Sequence, residues 1–188
     1  EEREVGCPEF LYEKKGHIAV MTWNRPEKRN CFTPDMIDAF YEAFGDFDKD
    51  PDLWVAVLAG SGDKAWCAGG DLDTMIPAIT SGRWKVNPDP TKRVYHDIFK
   101  PIIAAVNGPA MGAGCDLASM CDIRIASSSA KFAESFVKLG IIPGDGGAWF
   151  LPRLIGIQRA AELMFSGRIV APAESVALGL VMEGTEPD

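Results

Sequence analysis

The chain has 188 residues, of which 47% are hydrophobic and 24% are charged, a composition typical of globular proteins. This excludes a disordered or collagen-like chain. The 27 acidic and 19 basic residues give a net charge of −8, so the composition does not indicate a basic surface for nucleic acid. The longest apolar runs are far shorter than the roughly 20 residues that cross a bilayer. We therefore expect a single domain over residues 1–188 with no nucleic-acid or membrane partner.

The cysteines predict free thiols rather than a metal site. They occupy positions 7, 31, 67, 115 and 121, form no CxxC pair, and could be joined as metal ligands only by His17 and His96. An odd number of cysteines without a recognisable secretory leader is typical of a reducing compartment. We expect a cytoplasmic protein without a metal ion.

The first part of the chain predicts a hairpin followed by a helix. Residues 10–23, FLYEKKGHIAVMTW, place apolar and β-branched residues on both sides of KKG, which is typical of two short strands joined by a turn. From Pro34 onward, apolar residues recur at intervals of three and four, and Thr33 is in place to cap a helix. This spacing predicts a helix from Pro34 to Phe47.

The remaining segments alternate between strand and helix patterns. Residues 76–100 are rich in proline and charge and predict a mobile surface excursion with a helix near 93–99. Strands are predicted for LWVAVLAG (53–60), PIIAAVNG (101–108), DIRIA (122–126) and the start at LVME, and helices for FAESFVKLG, AWFLPRLIG and PAESVALG. Strand, glycine-rich loop and helix in succession predict an α/β domain of repeated crossover units.

Two loops share one design, and we call them the first glycine loop (residues 64–72, KAWCAGGDL) and the second glycine loop (residues 108–117, GPAMGAGCDL). Each follows a predicted buried strand and leads into a helix start that carries an aspartate. Backbone N–H groups at a helix start lack partners and favour an anionic oxygen, so two such loops together could form an oxyanion hole. Glycine-rich turns also occur simply because tight packing needs them, so both interpretations stay open at this point. Neither a P-loop nor a GxGxxG motif is present.

Four motifs occur together in a characteristic order: NRPEKRN (24–30), KAWCAGGDL (64–72), NGPAMGAGCDLASMCDIRIA (107–126) and LGIIPGDGG (139–147). In this combination the chain resembles the enoyl-CoA hydratase/isomerase, or crotonase, superfamily over nearly its whole length. The resemblance implies an α/β spiral of repeated ββα units that binds acyl-CoA thioesters. It also implies that the backbone N–H groups of Gly70 and Ala113 polarise the thioester oxygen.

The resemblance further implies where coenzyme A lies. The carbonyl of Ala68 would accept from the adenine, and Lys28, Arg29 and Lys64 would lie near the phosphates. Without the resemblance, these three cations are equally well interpreted as solvated surface charges. No metal or redox cofactor is expected, because coenzyme A arrives as part of the substrate.

The acid–base residues depart from the hydratase pattern. Hydratases of this family commonly use two glutamates, and the equivalent positions here hold Asp116 and Phe136. We favour Asp116 as the first acid–base residue over a role in complementing the helix dipole. Asp145 is the preferred second candidate, and Glu134 is the other. Glu134 could instead cap a helix and Asp145 could instead stabilise its turn.

The residues and the resemblance together predict an acyl-CoA enzyme, an enoyl-CoA hydratase or isomerase that works through an enolate. One alternative is a non-catalytic CoA-thioester binding or scaffold protein of the same fold, which the missing acid at Phe136 favours; a weaker one is a nucleotide-binding α/β domain. Family members usually continue into C-terminal helices that support trimers or hexamers. Because the chain ends at Asp188, we expect that helical region to be missing or incomplete and a homotrimer or hexamer to depend on it.

Overall fold

The computed structural model describes residues 5–83 and 98–185, and its centre is a six-stranded sheet. In spatial order the strands are β1 (Phe10–Lys15), β2 (Ile18–Trp23), β3 (Val55–Gly60), β4 (Ile102–Val106), β6 (Ile123–Ser127) and β8 (Glu183–Thr185). The pair β1–β2 is antiparallel, and every later pair is parallel. A second, two-stranded parallel sheet joins β5 (Ala110–Met111) to β7 (Phe132–Ala133). This arrangement confirms the predicted α/β fold.

Within residues 5–83 and 98–185, six α-helices connect and cover these strands. They are α1 (Pro34–Lys49), α2 (Leu72–Thr80), α3 (Ala113–Met120), α4 (Gly147–Ile155), α5 (Ile157–Ser166) and α6 (Pro172–Leu178). Because parallel strands need crossover connections, helical segments separate the consecutive parallel strands of the main sheet, whereas a turn joins β1 to β2. The carboxyl ends of β3 and β4 therefore lead into the two glycine loops at the same edge of the sheet.

The predicted hairpin and first helix are confirmed. Gly16 adopts φ 59° in the turn, where L residues are strained, and β1 pairs with β2 from Phe10 opposite Trp23 to Lys15 opposite Ile18. The hydroxyl of Thr33 accepts from the Met36 N–H at 3.3 Å, so the predicted cap is present. The helix ends at Lys49, two residues later than its apolar spacing predicted.

The core is aromatic where α1 packs on the hairpin. The Phe40 ring stacks on Trp23 with centroids 5.3 Å apart, and Phe10 contacts both rings. All three side chains are at most 2% exposed. Burying each of them contributes roughly 2 to 3 kcal/mol, which ties α1 to the first two strands.

Several predicted boundaries were wrong. Residues FAESFVKLG form β7 followed by a 3-10 turn at Ser135–Leu139 instead of a regular helix. Residues 76–80 of the predicted surface excursion are helical, because α2 continues through Pro77 to Thr80, and residues 84–97 of it lie outside the described part of the chain. The strand predicted at 53–60 begins at Val55, and the last strand begins at Glu183. The helix predicted near 93–99 lies largely outside the described residues.

In the part of the chain that the structure describes, no helix is long and apolar enough to cross a membrane.

Candidate functional site

The first glycine loop is held against residues 31–32 by backbone hydrogen bonds. The Phe32 N–H donates to the Gly69 carbonyl at 3.0 Å, and the Asp71 N–H donates to the Phe32 carbonyl at 2.8 Å. These two bonds place Phe32 opposite Gly70 as a single parallel β-bridge. The bridge fixes both peptide planes that flank Gly70.

The second glycine loop packs directly on the first. The Met111 N–H donates to the Cys67 carbonyl at 3.0 Å, and a Cβ on Gly114 would collide with that same carbonyl. A Cβ on Gly69 would lie 3.5 Å from the Ala113 nitrogen. Glycines are therefore required where the loops touch, and Gly69 and Ala113 are neighbours in space.

Two backbone donors in these loops remain available. Ala113 is the first residue of α3, so its N–H has no partner within the helix. Within residues 5–83 and 98–185, neither the Ala113 N–H nor the Gly70 N–H donates a hydrogen bond. Two free donors on adjoining loops match the arrangement that an oxyanion hole needs.

Two carboxyl groups lie buried behind the second glycine loop, and we call Asp116 and Glu134 the acid pair. Asp116 is 0% exposed on α3, and Glu134 is 2% exposed between β7 and the following 3-10 turn. In the described part of the chain, none of their four carboxyl oxygens accepts a hydrogen bond of standard geometry from a donor. Unpartnered buried carboxylates are costly, so these oxygens require a proton or a ligand.

The two acids meet at the start of α4. A Cβ added to Gly147 would collide with Asp116 Oδ1 and would lie 3.1 Å from Glu134 Oε1. The absence of a side chain at Gly147 therefore makes the space in which both carboxyl groups converge. Glu134 lies between the end of β7 and the 3-10 turn at Ser135–Leu139. From this position its carboxyl group reaches the space beside Gly147.

The pKa values of both carboxyl groups in the acid pair are higher than those of exposed carboxyl groups. Burial, the charge of Glu134 and a hydrogen bond between the two side chains raise the pKa of Asp116 to about 9, against a smaller opposing effect of the Gly147 N–H. Burial also raises the pKa of Glu134, whereas the hydrogen bond from Asp116 lowers it. We conclude that Asp116 keeps its proton at neutral pH beside the buried carboxyl group of Glu134.

Asp145 lies near the acid pair but on its solvent side. Its charge raises the pKa of both Asp116 and Glu134, which places the three carboxyl groups in one neighbourhood. The side chain keeps solvent access, yet the surrounding protein removes enough water to raise its own pKa. Its charge also raises the pKa of Tyr41, after the larger effect of burial, so Asp145 lies within electrostatic range of α1 as well as of the acid pair.

The structure bears on the alternatives for these acids. The side chain of Glu134 makes no capping hydrogen bond, and Asp145 makes no side-chain hydrogen bond to its turn among the described residues. Phe136, in place of the expected acid, is 8% exposed and belongs to the hydrophobic core. The nearest partner for Asp116 is therefore Glu134, the candidate that sequence reasoning ranked below Asp145.

The predicted coenzyme A contacts are grouped at the outer face of the first glycine loop. Lys28, Arg29 and Lys64 are exposed, and Ala68 is half-buried. The Ala68 N–H donates to the Arg29 carbonyl at 3.1 Å, which joins the NRPEKRN segment to this loop. The structure thus brings the four residues to one side of the molecule.

Two buried polar residues at the site were not singled out by sequence reasoning. Asn30 is 0% exposed, and its amide donates to the carbonyls of Ser61 and Ala65 at 2.9 and 2.8 Å. Arg25 is 9% exposed and donates to the Asp71 carboxylate at 2.9 Å. Both belong to NRPEKRN, whose polar residues look like an exposed turn when only the sequence is considered.

Comparisons with known proteins agree with this geometry. The family model described as enoyl-CoA hydratase/isomerase matches residues 13–185. The chain is 37% identical over 179 residues to the short-chain-enoyl-CoA hydratase of Clostridium acetobutylicum, covering 94% of this chain and 69% of that protein. It is also 37% identical to the crotonyl-CoA hydratase of Syntrophomonas wolfei, covering 95% of this chain and 70% of that protein. The crystal structure of an enoyl-CoA hydratase from Bacillus anthracis superposes with a TM-score of 0.87 at 32% identity, covering 95% of this chain and 70% of that chain.

Proposed function

Because the chain belongs to the enoyl-CoA hydratase/isomerase family, we propose that it hydrates short 2-enoyl-CoA thioesters with Asp116 and Glu134 as its acid–base pair. The observation that carries this proposal is the pair of buried carboxyl groups, Asp116 and Glu134, that converge at Gly147. Two relatives with hydratase names support the choice of reaction.

The thioester carbonyl would bind between the two free backbone donors. As an enolate forms, negative charge grows on the thioester oxygen, and the N–H groups of Gly70 and Ala113 stabilise it more strongly than they stabilise the neutral carbonyl. Each such donor typically contributes roughly 3 to 4 kcal/mol to transition-state stabilisation. Their position on rigid adjoining loops means that little reorganisation is needed during the reaction.

The acid pair would supply both proton-transfer functions. The ionised Glu134 accepts a proton from the attacking water, which lets the water oxygen bond to Cβ. The neutral Asp116 gives its proton to Cα of the enolate, and the proton taken up by Glu134 then restores the pair. Every proton removed from water therefore reappears on carbon or on the pair, and no redox step is involved.

Isomerisation of a 3-enoyl-CoA is the second candidate. It needs a single base that removes a proton at Cα and an acid that returns one at Cγ, without water. The core position of Phe136 favours this candidate, because the acid expected there in hydratases is replaced by an apolar ring. Both reactions place negative charge on the thioester oxygen, in an enolate for hydration and a dienolate for isomerisation, and both can use the same two donors.

We propose that Lys28, Arg29 and Lys64 bind the phosphates of coenzyme A and that the Ala68 carbonyl accepts from the adenine. The exposed position of the three cations supports this proposal, since the chain as a whole carries a net charge of −8 and only local cations would attract an anionic ligand. Because coenzyme A enters with the substrate, the mechanism needs no separate cofactor.

A cytoplasmic location and assembly into trimers or hexamers remain part of the proposal. The five free thiols support a reducing compartment. Support for assembly comes from large apolar side chains that are more than three-quarters exposed in the second half of the chain, namely Phe99, Ile142, Ile157, Phe165 and Met182.

The test is a pair of assays on the unaltered protein. Hydration of crotonyl-CoA removes the ultraviolet absorbance of the conjugated thioester, whereas isomerisation of a 3-enoyl-CoA creates it. We expect hydration, with kcat about 10² to 10⁴ times lower in both Asp116→Asn and Glu134→Gln. Asp48→Asn, which changes an exposed aspartate on α1, is the matched control.

The outcomes separate the candidates. Isomerisation without hydration selects the second reaction, and turnover of neither substrate refutes the proposed activity. Full hydration by Glu134→Gln removes Glu134 from the mechanism, and a large loss in Asp145→Asn alone would assign its role to Asp145.

A further inference from the structure

The guanidinium of Arg25 connects the two segments that form the Phe32–Gly70 bridge. One nitrogen, Nη1, donates to the Cys31 carbonyl and to Asp71 Oδ2, both at 2.9 Å. Cys31 precedes Phe32, and Asp71 follows Gly70. A single donor atom therefore clamps the two strands of the bridge at adjacent positions.

The bridge determines the direction of the Gly70 N–H. The Gly69 carbonyl and the Gly70 N–H belong to one planar peptide and point in opposite directions. Because the Gly69 carbonyl accepts from the Phe32 N–H at 3.0 Å, the Gly70 N–H must point away from Phe32. Anything that holds Phe32 in place therefore also aims this donor.

Hydrogen bonds hold the backbone N–H and both carboxylate oxygens of Asp71, the residue that follows Gly70. Its N–H donates to the Phe32 carbonyl, Oδ1 accepts from the Asp73 N–H at 3.1 Å, and Oδ2 accepts from Arg25. The bond from the Asp73 N–H to Oδ1 caps α2. Within the described residues, the bond from Arg25 to Oδ2 is the only side-chain contact between this cap and the NRPEKRN segment. The ion pair is largely shielded from water, with both side chains 11% exposed.

The opposite side of Arg25 is also fixed. Its backbone N–H donates to Asn30 Oδ1 at 2.9 Å, and Nε lies 3.2 Å from Glu9 Oε1, an ion-pair distance without hydrogen-bond geometry. Two non-glycine residues, Arg29 and Asn30, adopt φ of 54° and 55° in the turn that brings this bond about. Such strain persists only where surrounding contacts hold it in place.

We propose that Arg25 is a positioning residue for the oxyanion hole, acting through Asp71 and Phe32 to aim the Gly70 N–H at the thioester oxygen. This inference rests on the proposed function. Arg25 contacts Cys31 and Asp71 rather than the Gly70 N–H itself. Its loss therefore reduces polarisation of the carbonyl and the rate of the chemical step while leaving substrate binding nearly unchanged.

The experiment compares Arg25→Gln and Asp71→Asn with the unaltered protein. Butanoyl-CoA carrying ¹³C at its thioester carbonyl is bound without reacting, and its carbonyl stretch is measured by infrared difference spectroscopy. The unaltered protein should lower this frequency relative to free butanoyl-CoA, and both variants should show a smaller shift. For Arg25→Gln we expect kcat for crotonyl-CoA to fall about 10- to 100-fold, less than the roughly 10²- to 10³-fold loss on removing an oxyanion donor, with KM changed less than about 3-fold.

Asp71→Asn and Arg168→Gln serve as the second variant and the control. Asp71→Asn keeps an oxygen that can cap α2 and loses only the charge, so it decides the question if Arg25→Gln does not fold. Arg168→Gln removes an exposed arginine paired with Glu162 and Glu174 and should leave both the carbonyl shift and kcat unchanged.

Folded variants that keep the full carbonyl shift and full kcat overturn the role of Arg25 alone. Absence of a carbonyl shift in the unaltered protein instead refutes the oxyanion hole, and with it the proposed function. A loss of activity with an unchanged carbonyl shift assigns Arg25 a structural role that does not reach Gly70, which also overturns the inference.

Discussion

Replacing Asp116 by asparagine should stabilise the fold at neutral and alkaline pH. The asparagine amide has the size of a carboxyl group and offers a hydrogen-bond donor beside Glu134, as the protonated Asp116 does. It cannot ionise, so it removes the cost of keeping a buried acid where the unfolded chain would release a proton. The variant loses activity under the proposed mechanism but should gain stability.

The sign and size follow from the proton balance. Below the ordinary value of 3.8 both states of the parent hold the proton, and Asp116 has no effect on the pH dependence. As the pH rises towards about 9, only the unfolded carboxyl ionises, so the parent's free energy of unfolding falls. One proton gives a limiting slope of about 1.4 kcal/mol per pH unit. Between pH 5 and 8 we expect the free energy of unfolding of the variant to rise by about 2 to 4 kcal/mol relative to that of the parent. The limiting slope gives the upper end of this range, and water that penetrates the site lowers the value.

The assay is urea unfolding at fixed temperature in steps between pH 5 and 8. Asp48→Asn, on the exposed side of α1, serves as the control and should follow the parent curve. If the free energies of unfolding of Asp116→Asn and of the parent change with pH in the same way over this range, the reasoning is refuted, because Asp116 would then hold no buried proton.

Two further changes probe the space around the acids and the cations. Gly147→Ala should lower kcat at least about 10-fold, because its Cβ would collide with Asp116, whereas Gly45→Ala, with open space around its Cβ, should retain full activity; equal rates would show that the pocket adapts. Lys64→Ala should raise KM for crotonyl-CoA about 3- to 10-fold, an effect that weakens in salt. It should not change KM for the crotonyl thioester of pantetheine, which lacks the nucleotide phosphates, and a similar rise there would place Lys64 elsewhere.

The sequence was sufficient where one local signal determined the structure. Thr33 followed by Pro34 and a three-to-four apolar repeat predicted α1, and the strands before both glycine loops were found within two residues of their ends. The resemblance supplied what local patterns could not, because tight packing and an oxyanion hole demand the same glycines. Tertiary contacts show that the loops adjoin, through the hydrogen bond from the Met111 N–H to the Cys67 carbonyl and the close approach of Gly114 to that carbonyl.

The sequence was insufficient where a side chain's role depends on a distant segment. The apolar spacing of FAESFVKLG predicted a helix, but β7 pairs with β5 and Gly112 bonds to the Ala133 carbonyl, so this backbone is extended up to Glu134. That tertiary pairing turns Glu134 towards Asp116, and no pattern within the segment records it. Arg25 was missed for the same reason, since its partner Asp71 lies 46 positions along the chain.

The single-residue bridge between Phe32 and Gly70 also affects how the protein is made. The hairpin and α1 rest mainly on contacts between near neighbours in sequence, which form early and quickly. The bridge joins Phe32, which precedes α1, to Gly70, which follows β3. The acid pair converges at Gly147, which comes later in the sequence than both of its members. A nascent chain that ends before α4 contains the first glycine loop but lacks the helix start at which the acid pair converges, so this part of the candidate site is completed late in synthesis.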